Sequence, residues 1–404
     1  MTKKTRNRSA LFVFVTIALD AMGIGIIIPI MPDLMQELSG EDIGNAALWG
    51  GYLAFSYAIM QFLFGPTIGN LSDRYGRRPV LLISLFMLGV DYVVMALAPN
   101  LLILFIGRVL SGIAGATHST ATAYIADVTP KEKRAAAFGL VGAGFGVGFV
   151  FGPAIGGVIG EFGTRAPFVA AAALAFLNFA YGYFLIPESL PREKRRKFEL
   201  HRANPMGALY QMRRVPMVGW FVVAMFLYAL SHYVYPAVWS YYTKEKFGWA
   251  NWEIGVSLAA VGIGFALVQG ILIRPFLKRF GEKTTAFLGL GFNILGMTGI
   301  ALVGSGWMLY ALMPLTVLGD IVKPALTGLM SNMIPDDAQG ELQGIISSAQ
   351  SISVILSPIM MTQLFGVFTG TDASIYFPGA PFIAAALIMM LTAIPLRIGL
   401  SRGK

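Results

Sequence analysis

The sequence contains no cysteine, which excludes disulfides and thiol chemistry and leaves the redox compartment unreadable. Charge is scarce as well. Asp, Glu, Lys and Arg make up 13% of the 404 residues, where a soluble chain carries about 25%. There is no HExxH, no phosphate-binding glycine loop, no nucleophile elbow and no cluster with metal-ligand spacing. The chain is therefore not expected to be an enzyme, to hold a metal or to need a cofactor. A cleavable signal peptide is not expected either, because the first apolar stretch carries Asp20 and runs on to full membrane-spanning length.

Apolar length is abundant. Hydrophobic residues account for 56% of the chain and mean hydropathy is +0.68. Twelve apolar stretches lie near 11–32, 48–70, 79–98, 100–123, 135–160, 166–187, 217–243, 252–276, 284–306, 307–334, 340–368 and 377–398. Each approaches or exceeds the roughly 20 residues that cross a bilayer as a helix. With the N-terminus in the cytoplasm, only Arg165, Lys244 and Lys246 of the 30 Lys and Arg residues fall outside, while Arg108 and Lys323 lie within spans. The positive-inside rule explains that asymmetry, and the net charge of +9, without nucleic acid as a partner. The basic run Arg192–Lys197 reads as a solvated cytoplasmic loop.

The longest polar stretch, 188–216, separates two halves that repeat. A shift of 205 residues pairs SDRYGRRP at 72–79 with LKRFGEKT at 277–284, and with them Gly76 and Gly281. The same shift pairs Pro130 with Pro335, Gly139 with Gly344 and Pro153 with Pro358. The expected fold is an all-α integral membrane protein of twelve transmembrane helices in two pseudo-symmetric six-helix bundles. These cover residues 1–187 and 217–404 and are joined by a cytoplasmic linker at 188–216. Parallel repeats of this kind place a substrate site near mid-membrane.

A charged side chain inside lipid costs at least about 2.5–3.5 kcal/mol and usually faces a cavity or a partner. Five such residues stand out: Asp20, Asp91, Arg108, Asp320 and Lys323. At 1.5 Å rise per residue, Asp20 and Asp91 sit roughly 13–18 Å deep. Burial there favours a proton on the carboxyl and a nearby cation such as Arg108 opposes it, which suits a proton-coupling switch. The competing reading is fixed hydrogen bonds or ion pairs between helices. Asp320 and Lys323, three apart, either neutralise each other or reach across a cavity.

His118 and His232 are candidates for ligand contact or for bonds between helices. The stretch around His232 adds Tyr233, Tyr235 and Trp239, which either stack a planar ligand or form an interfacial aromatic belt. Gln269, Asn293 and Lys323 complete the candidate substrate set, and Asp320 joins Asp20, Asp91 and Arg108 as a candidate for proton coupling. Glycines crowd the fifth span around Pro153, with Gly152 and Gly156 beside it; close helix packing is the first explanation and a hinge the second.

Local patterns carry a resemblance. GNLSDRYGRRP at 69–79 and GFVFGPAIGG at 148–157 resemble motifs of the major facilitator superfamily. LDAMGIGIIIPIMP at 19–32, GVDYVVMALAP at 89–99, GRVLSGIAGAT at 107–117 and YIADVTP at 124–130 are similar to its drug and proton antiporters, which include the tetracycline efflux proteins. The resemblance implies a cytoplasmic gate of Asp73, Arg74, Arg77 and Asp127, and tetracycline and proton exchange involving Asp20, Asp91 and Arg108. It implies a monomer in a bacterial-type inner membrane with both termini cytoplasmic, whose partners are a small molecule, in one form a metal chelate, the coupling proton and lipid.

The second half departs from the pattern. Asn293 stands where those exporters carry an acid, Phe265 replaces a histidine, and Asp320 and Lys323 fall in a segment that is uncharged in them. The expected function is proton-coupled export of an aromatic or drug-like solute. The alternatives are uptake of an anionic solute and a non-transporting membrane receptor.

Overall fold

A computed structural model describes residues 3–115, 117–130, 134–199, 204, 218–335 and 338–402, apart from the side chains of 3–10, 118 and 134–136. His118's side chain and most of the expected linker lie outside the described residues. Those described form helices and no strand. The elements of the first half are α1 (Lys3–Ile27), α2 (Met31–Ser39), α3 (Ile43–Tyr75), α4 (Arg77–Leu97), α5 (Leu101–Ala114), α6 (Thr117–Val128), α7 (Arg134–Gly160) and α8 (Ala166–Leu185). Those of the second are α9 (Gly219–His232), α10 (Val234–Phe247), α11 (Asn251–Leu267), α12 (Ile273–Leu302), α13 (Gly306–Gly319), α14 (Val322–Ser331), α15 (Gln339–Thr369) and α16 (Ala380–Arg402).

Eleven candidate membrane spans occur among the described residues, one of them 52 residues long, Asn251–Leu302. At 1.5 Å per residue that helix would be about 78 Å long, more than twice the hydrocarbon thickness. It contains two crossings. Gly281, at φ 68° and ψ 170°, breaks it, as Gly76, at φ 108° and ψ 160°, separates α3 from α4. Both glycines adopt a backbone conformation that a side chain disfavours, and they are the pair matched by the 205-residue shift. The chain therefore crosses the membrane twelve times.

The repeat extends to helix ends. α13 is α5 displaced by 205 residues at both termini, and α14 starts where α6 would under the same shift. Pro153 and Pro358, the matched prolines, both lie inside unbroken helices.

Two compact units form. One comprises Met1–Ser39, Ser56–Pro205 and Ala250–Ala260; the other comprises Gly40–Phe55, Met206–Trp249 and Val261–Lys404. In the first, buried Phe12, Val13, Ile17, Leu81, Leu85, Tyr124 and Ile125 make a core between α1, α4 and α6. Buried Val268, Val317 and Ile321 mark a smaller cluster in the second.

Helix α7 lies close against α1 because its contact stripe lacks side chains. A Cβ on Gly144 would stand 2.8 Å from Phe14 O, one on Gly152 2.6 Å from Met22 O, and one on Gly156 2.6 Å from the Ile26 backbone. Spaced eight and four residues apart, these glycines let two backbones approach where lipid supplies no hydrophobic drive. At the positions 205 residues beyond Gly148 and Gly152 the second half uses hydroxyls instead. Ser353 Oγ donates to Phe226 O at 3.0 Å and Ser357 Oγ to Leu230 O at 2.9 Å, tying α15 to α9.

Gly156→Ala should therefore lower the thermal unfolding midpoint of the purified protein, by overpacking worth about 1–3 kcal/mol. Gly146→Ala, whose Cβ meets nothing within 4 Å, should leave the midpoint unchanged or raise it. Equal midpoints for the two variants would contradict this account of α7.

Candidate functional site

In the first unit the deep charges fall into one pair and one single acid. Asp91, on α4, is 2% exposed. Arg108 on α5 reaches it, its Nε 3.3 Å from Oδ1 and its Nη2 against Oδ2. The α4–α5 turn ends on Asn100, whose side chain caps α5 by accepting from Ile103 N at 3.1 Å. That antiparallel hairpin brings positions 91 and 108 level. On its other side the guanidinium lies 5.1 Å from the centroid of the Tyr57 ring, a favourable cation–π placement. Gln61 holds this wall by donating to Gly115 O at 2.8 Å.

Asp20 has no such partner among the described residues. Its Oδ1 is buried without a hydrogen bond, and so is the hydroxyl of Tyr92. Tyr92 leans on α1 one turn beyond Asp20, where a Cβ on Gly23 would stand 3.3 Å from the Tyr92 Oη. Of the two deep acids of this unit, one is bound to a cation and the other, among the described residues, is not.

At the α3–α4 turn, Arg77 gathers the expected gate. Its Nη1 is 2.6 Å from Asp73 Oδ1 and its Nε 3.1 Å from Asp127 Oδ2 at the end of α6. Among the described residues Arg74 makes no ion pair with this network: it is exposed, with its guanidinium over the Tyr75 ring, one helical step away from the face that Asp73 and Arg77 share.

The structure adds residues that the sequence reading missed. Glu188 Oε1 accepts from Arg77 N at 2.8 Å, and Ser189 Oγ donates to Asp127 Oδ2 at 3.2 Å. The chain after α8 continues along the turn, with Arg196 N donating to Asp73 O at 3.1 Å and Asn70 Nδ2 to Glu199 O at 2.7 Å. Nothing in the local pattern of a charged loop announces this docking; only Glu188 following Pro187 at a helix end hinted at order.

The second unit repeats the geometry with other chemistry. The 205-residue counterparts of Arg77 and Asp127 are Glu282 and Asn332, and Asn332 Nδ2 donates to both Glu282 oxygens at 3.0 and 2.9 Å.

Deeper in that unit, Asp320 sits at the break between α13 and α14, the position matched to Gly115 at the α5–α6 break. Tyr228 Oη on α9 donates to its Oδ1 at 2.8 Å and Gln269 Nε2 to its Oδ2 at 2.6 Å. Gln269 belongs to a single π-helical turn, Val268–Leu272, a distortion common at functional sites. Among the described residues Asp320 makes no ion pair with Lys323, because the break lies between them and Lys323 is exposed. The mutual neutralisation considered for this pair is absent.

His232 stacks on Tyr228, with centroids 5.5 Å apart, and meets Tyr235 at 5.5 Å and Phe265 at 6.0 Å. Tyr233 is half-buried. Two other expected ligand contacts are packed away. Asn293 is 0% exposed, donates to Gly289 O at 3.2 Å and fills the space beside Gly319. Trp239 is 3% exposed, among Tyr235, Tyr242 and Phe382. Both are buried between helices in this conformation, and Asn293 Oδ1 has no hydrogen-bond partner among the described residues. Gly152, Pro153 and Gly156 display packing, with α7 continuous through them.

Comparison with known proteins bears on these features. The sequence matches the profile of the Major Facilitator Superfamily over residues 13–358 and 223–400. It is 39% identical to the class C tetracycline resistance protein of Escherichia coli, over 97% of each chain. It is 29% identical to multidrug resistance protein 2 of Bacillus subtilis (strain 168), over 97% of this chain and 95% of that one. In fold it resembles a bacterial homologue of the human lysosomal transporter Spinster, with a TM-score of 0.79 at 17% identity, covering 100% of this chain and 98% of that one.

Removing one partner of a buried ion pair strands the other, at about 3–5 kcal/mol. Asp91→Asn should therefore destabilise the purified protein strongly. The double variant Asp91→Asn with Arg108→Gln should recover much of the loss, as read by thermal unfolding; additive losses would contradict a direct pair.

Proposed function

The chain belongs to the Major Facilitator Superfamily, and on that premise we propose that it exports drug-like aromatic molecules in exchange for protons. The observation that carries this reading is the division of labour between the two deep acids of the first unit. Asp91 is neutralised by Arg108, while Asp20 has a buried oxygen with no partner. An acid without a counter-ion in an apolar surround changes its charge most readily by binding or losing a proton.

Alternating access converts that proton into work only if protonation favours one conformation over the other. In this account a proton reaching Asp20 from outside removes a bare charge from the membrane interior and favours the state that releases substrate outward. Its departure to the cytoplasm restores the charge and the substrate-accepting state. Asp91 and Arg108 hold the wall of this site, Tyr57 and Tyr92 flank it, and the Asp73–Arg77–Asp127 network latches the cytoplasmic ends of α3, α4 and α6.

The named relatives support drug efflux, tetracycline resistance among it, and a metal chelate of such a drug is within the proposed substrate class. The charge asymmetry of the loops supports an inner-membrane orientation with both termini cytoplasmic and six-helix halves at 1–187 and 217–404 around the linker at 188–216. We assign the working unit as a monomer in contact with lipid. A second reading, uptake of an anionic solute, draws on Lys323, an intramembrane cation with no ion pair among the described residues.

In proteoliposomes, an imposed inward-directed proton gradient should drive substrate efflux from the compartment equivalent to the cytoplasm, and Asp20→Asn should cut that driven flux by roughly tenfold or more. Flux indifferent to the gradient and to Asp20→Asn would overturn the proposal. Gradient-driven accumulation of an anion instead would favour the second reading.

A further inference from the structure

Asp320 poses a question that proton coupling at Asp20 does not answer. It is 7% exposed, inside a membrane span, and both carboxylate oxygens receive hydrogen bonds from neutral donors, Tyr228 and Gln269. No cation is paired with it among the described residues. Neutral donors orient a carboxylate without cancelling its charge, so the site retains an attraction for a cation that low-dielectric surroundings amplify.

The neighbourhood of this carboxylate is aromatic and partly open. His232 is stacked on Tyr228 at an interplanar angle of 22°, with Tyr235 at 67° and Phe265 at 46° to it. The Nδ1 of His232 is buried without a hydrogen-bond partner. Gln269, by contrast, is exposed and stands on the π-helical turn. Of the two donors on Asp320 it is the one a ligand can replace, because Tyr228 is wedged at 2% exposure.

We propose that Asp320 is the docking point for the positive charge of an aromatic cation, whose ring lies against His232 and Phe265 while the charge displaces the Gln269 amide. The carboxylate supplies charge pairing and the ring faces supply stacking and cation–π attraction. Lys323 follows three residues later but beyond the break and exposed, so it leaves the carboxylate available and disfavours ligands whose positive charge extends toward it. This refines the export reading by naming the substrate class. It is read at equilibrium, without a gradient, so it stands or falls separately from proton coupling.

The test uses the full-length protein purified in detergent, with ethidium as a permanent aromatic cation and phenanthridine as the neutral ring system. Wild type should bind ethidium saturably by fluorescence. Asp320→Asn should weaken that binding by roughly tenfold or more, while phenanthridine affinity changes by less than about twofold. Asp320→Glu, which keeps the charge, should retain ethidium binding closer to wild type and so exclude a folding defect as the cause. Unchanged ethidium affinity in Asp320→Asn would overturn the proposal. So would equal losses for both ligands, or the absence of saturable ethidium binding to wild type.

Discussion

A charge left bare in the hydrocarbon layer is expensive, and that constraint organises the deep polar residues of both units. Arg108 resolves it for Asp91 by direct pairing, with the Tyr57 ring behind the guanidinium. Tyr228 and Gln269 resolve it only in part for Asp320, since hydrogen bonds orient charge without cancelling it. For Asp20, whose buried Oδ1 has no hydrogen-bond partner among the described residues, the proposed resolution is a mobile proton. Three acids at similar cost thus take three different roles, set by what stands beside them.

The backbone obeys the internal repeat more strictly than the side chains do. Helix ends, the broken helix at Gly76 and Gly281, and the interruption at Gly115 and Asp320 all recur at one offset. On that shared frame the cytoplasmic latch is an ion pair in one half, Arg77 with Asp127, and a carboxylate–amide bond in the other, Glu282 with Asn332. Helix contacts made by absent side chains at Gly148 and Gly152 are replaced by the hydroxyls of Ser353 and Ser357. A common scaffold with unequal chemistry is what directional coupling requires, because two identical halves would respond alike to a proton.

Much of this was legible beforehand. Span length, charge asymmetry and the 205-residue offset reveal the architecture, since each rests on a rule that needs no side-chain coordinates. The pairing of Asp91 with Arg108 was foreseeable as proximity across a short hairpin. What escaped were contacts between segments distant in sequence: Glu188 reaching the α3–α4 turn, or Tyr228 and Gln269 converging on Asp320 from two other helices. Spacing alone does not reveal a helix break: Asp320 and Lys323 share a face only if the helix is unbroken. Asn293 and Trp239 are polar or aromatic enough to suggest ligand contact, yet helix packing buries both.

The central claim is that Asp20, and not Asp91, carries the exchangeable proton. Infrared titration of the purified protein in lipid reads it most directly, through the carbonyl stretch of a protonated carboxylic acid. The account predicts a protonated-carboxyl band that titrates in wild type and disappears in Asp20→Asn. A band that persists unchanged in Asp20→Asn would contradict it.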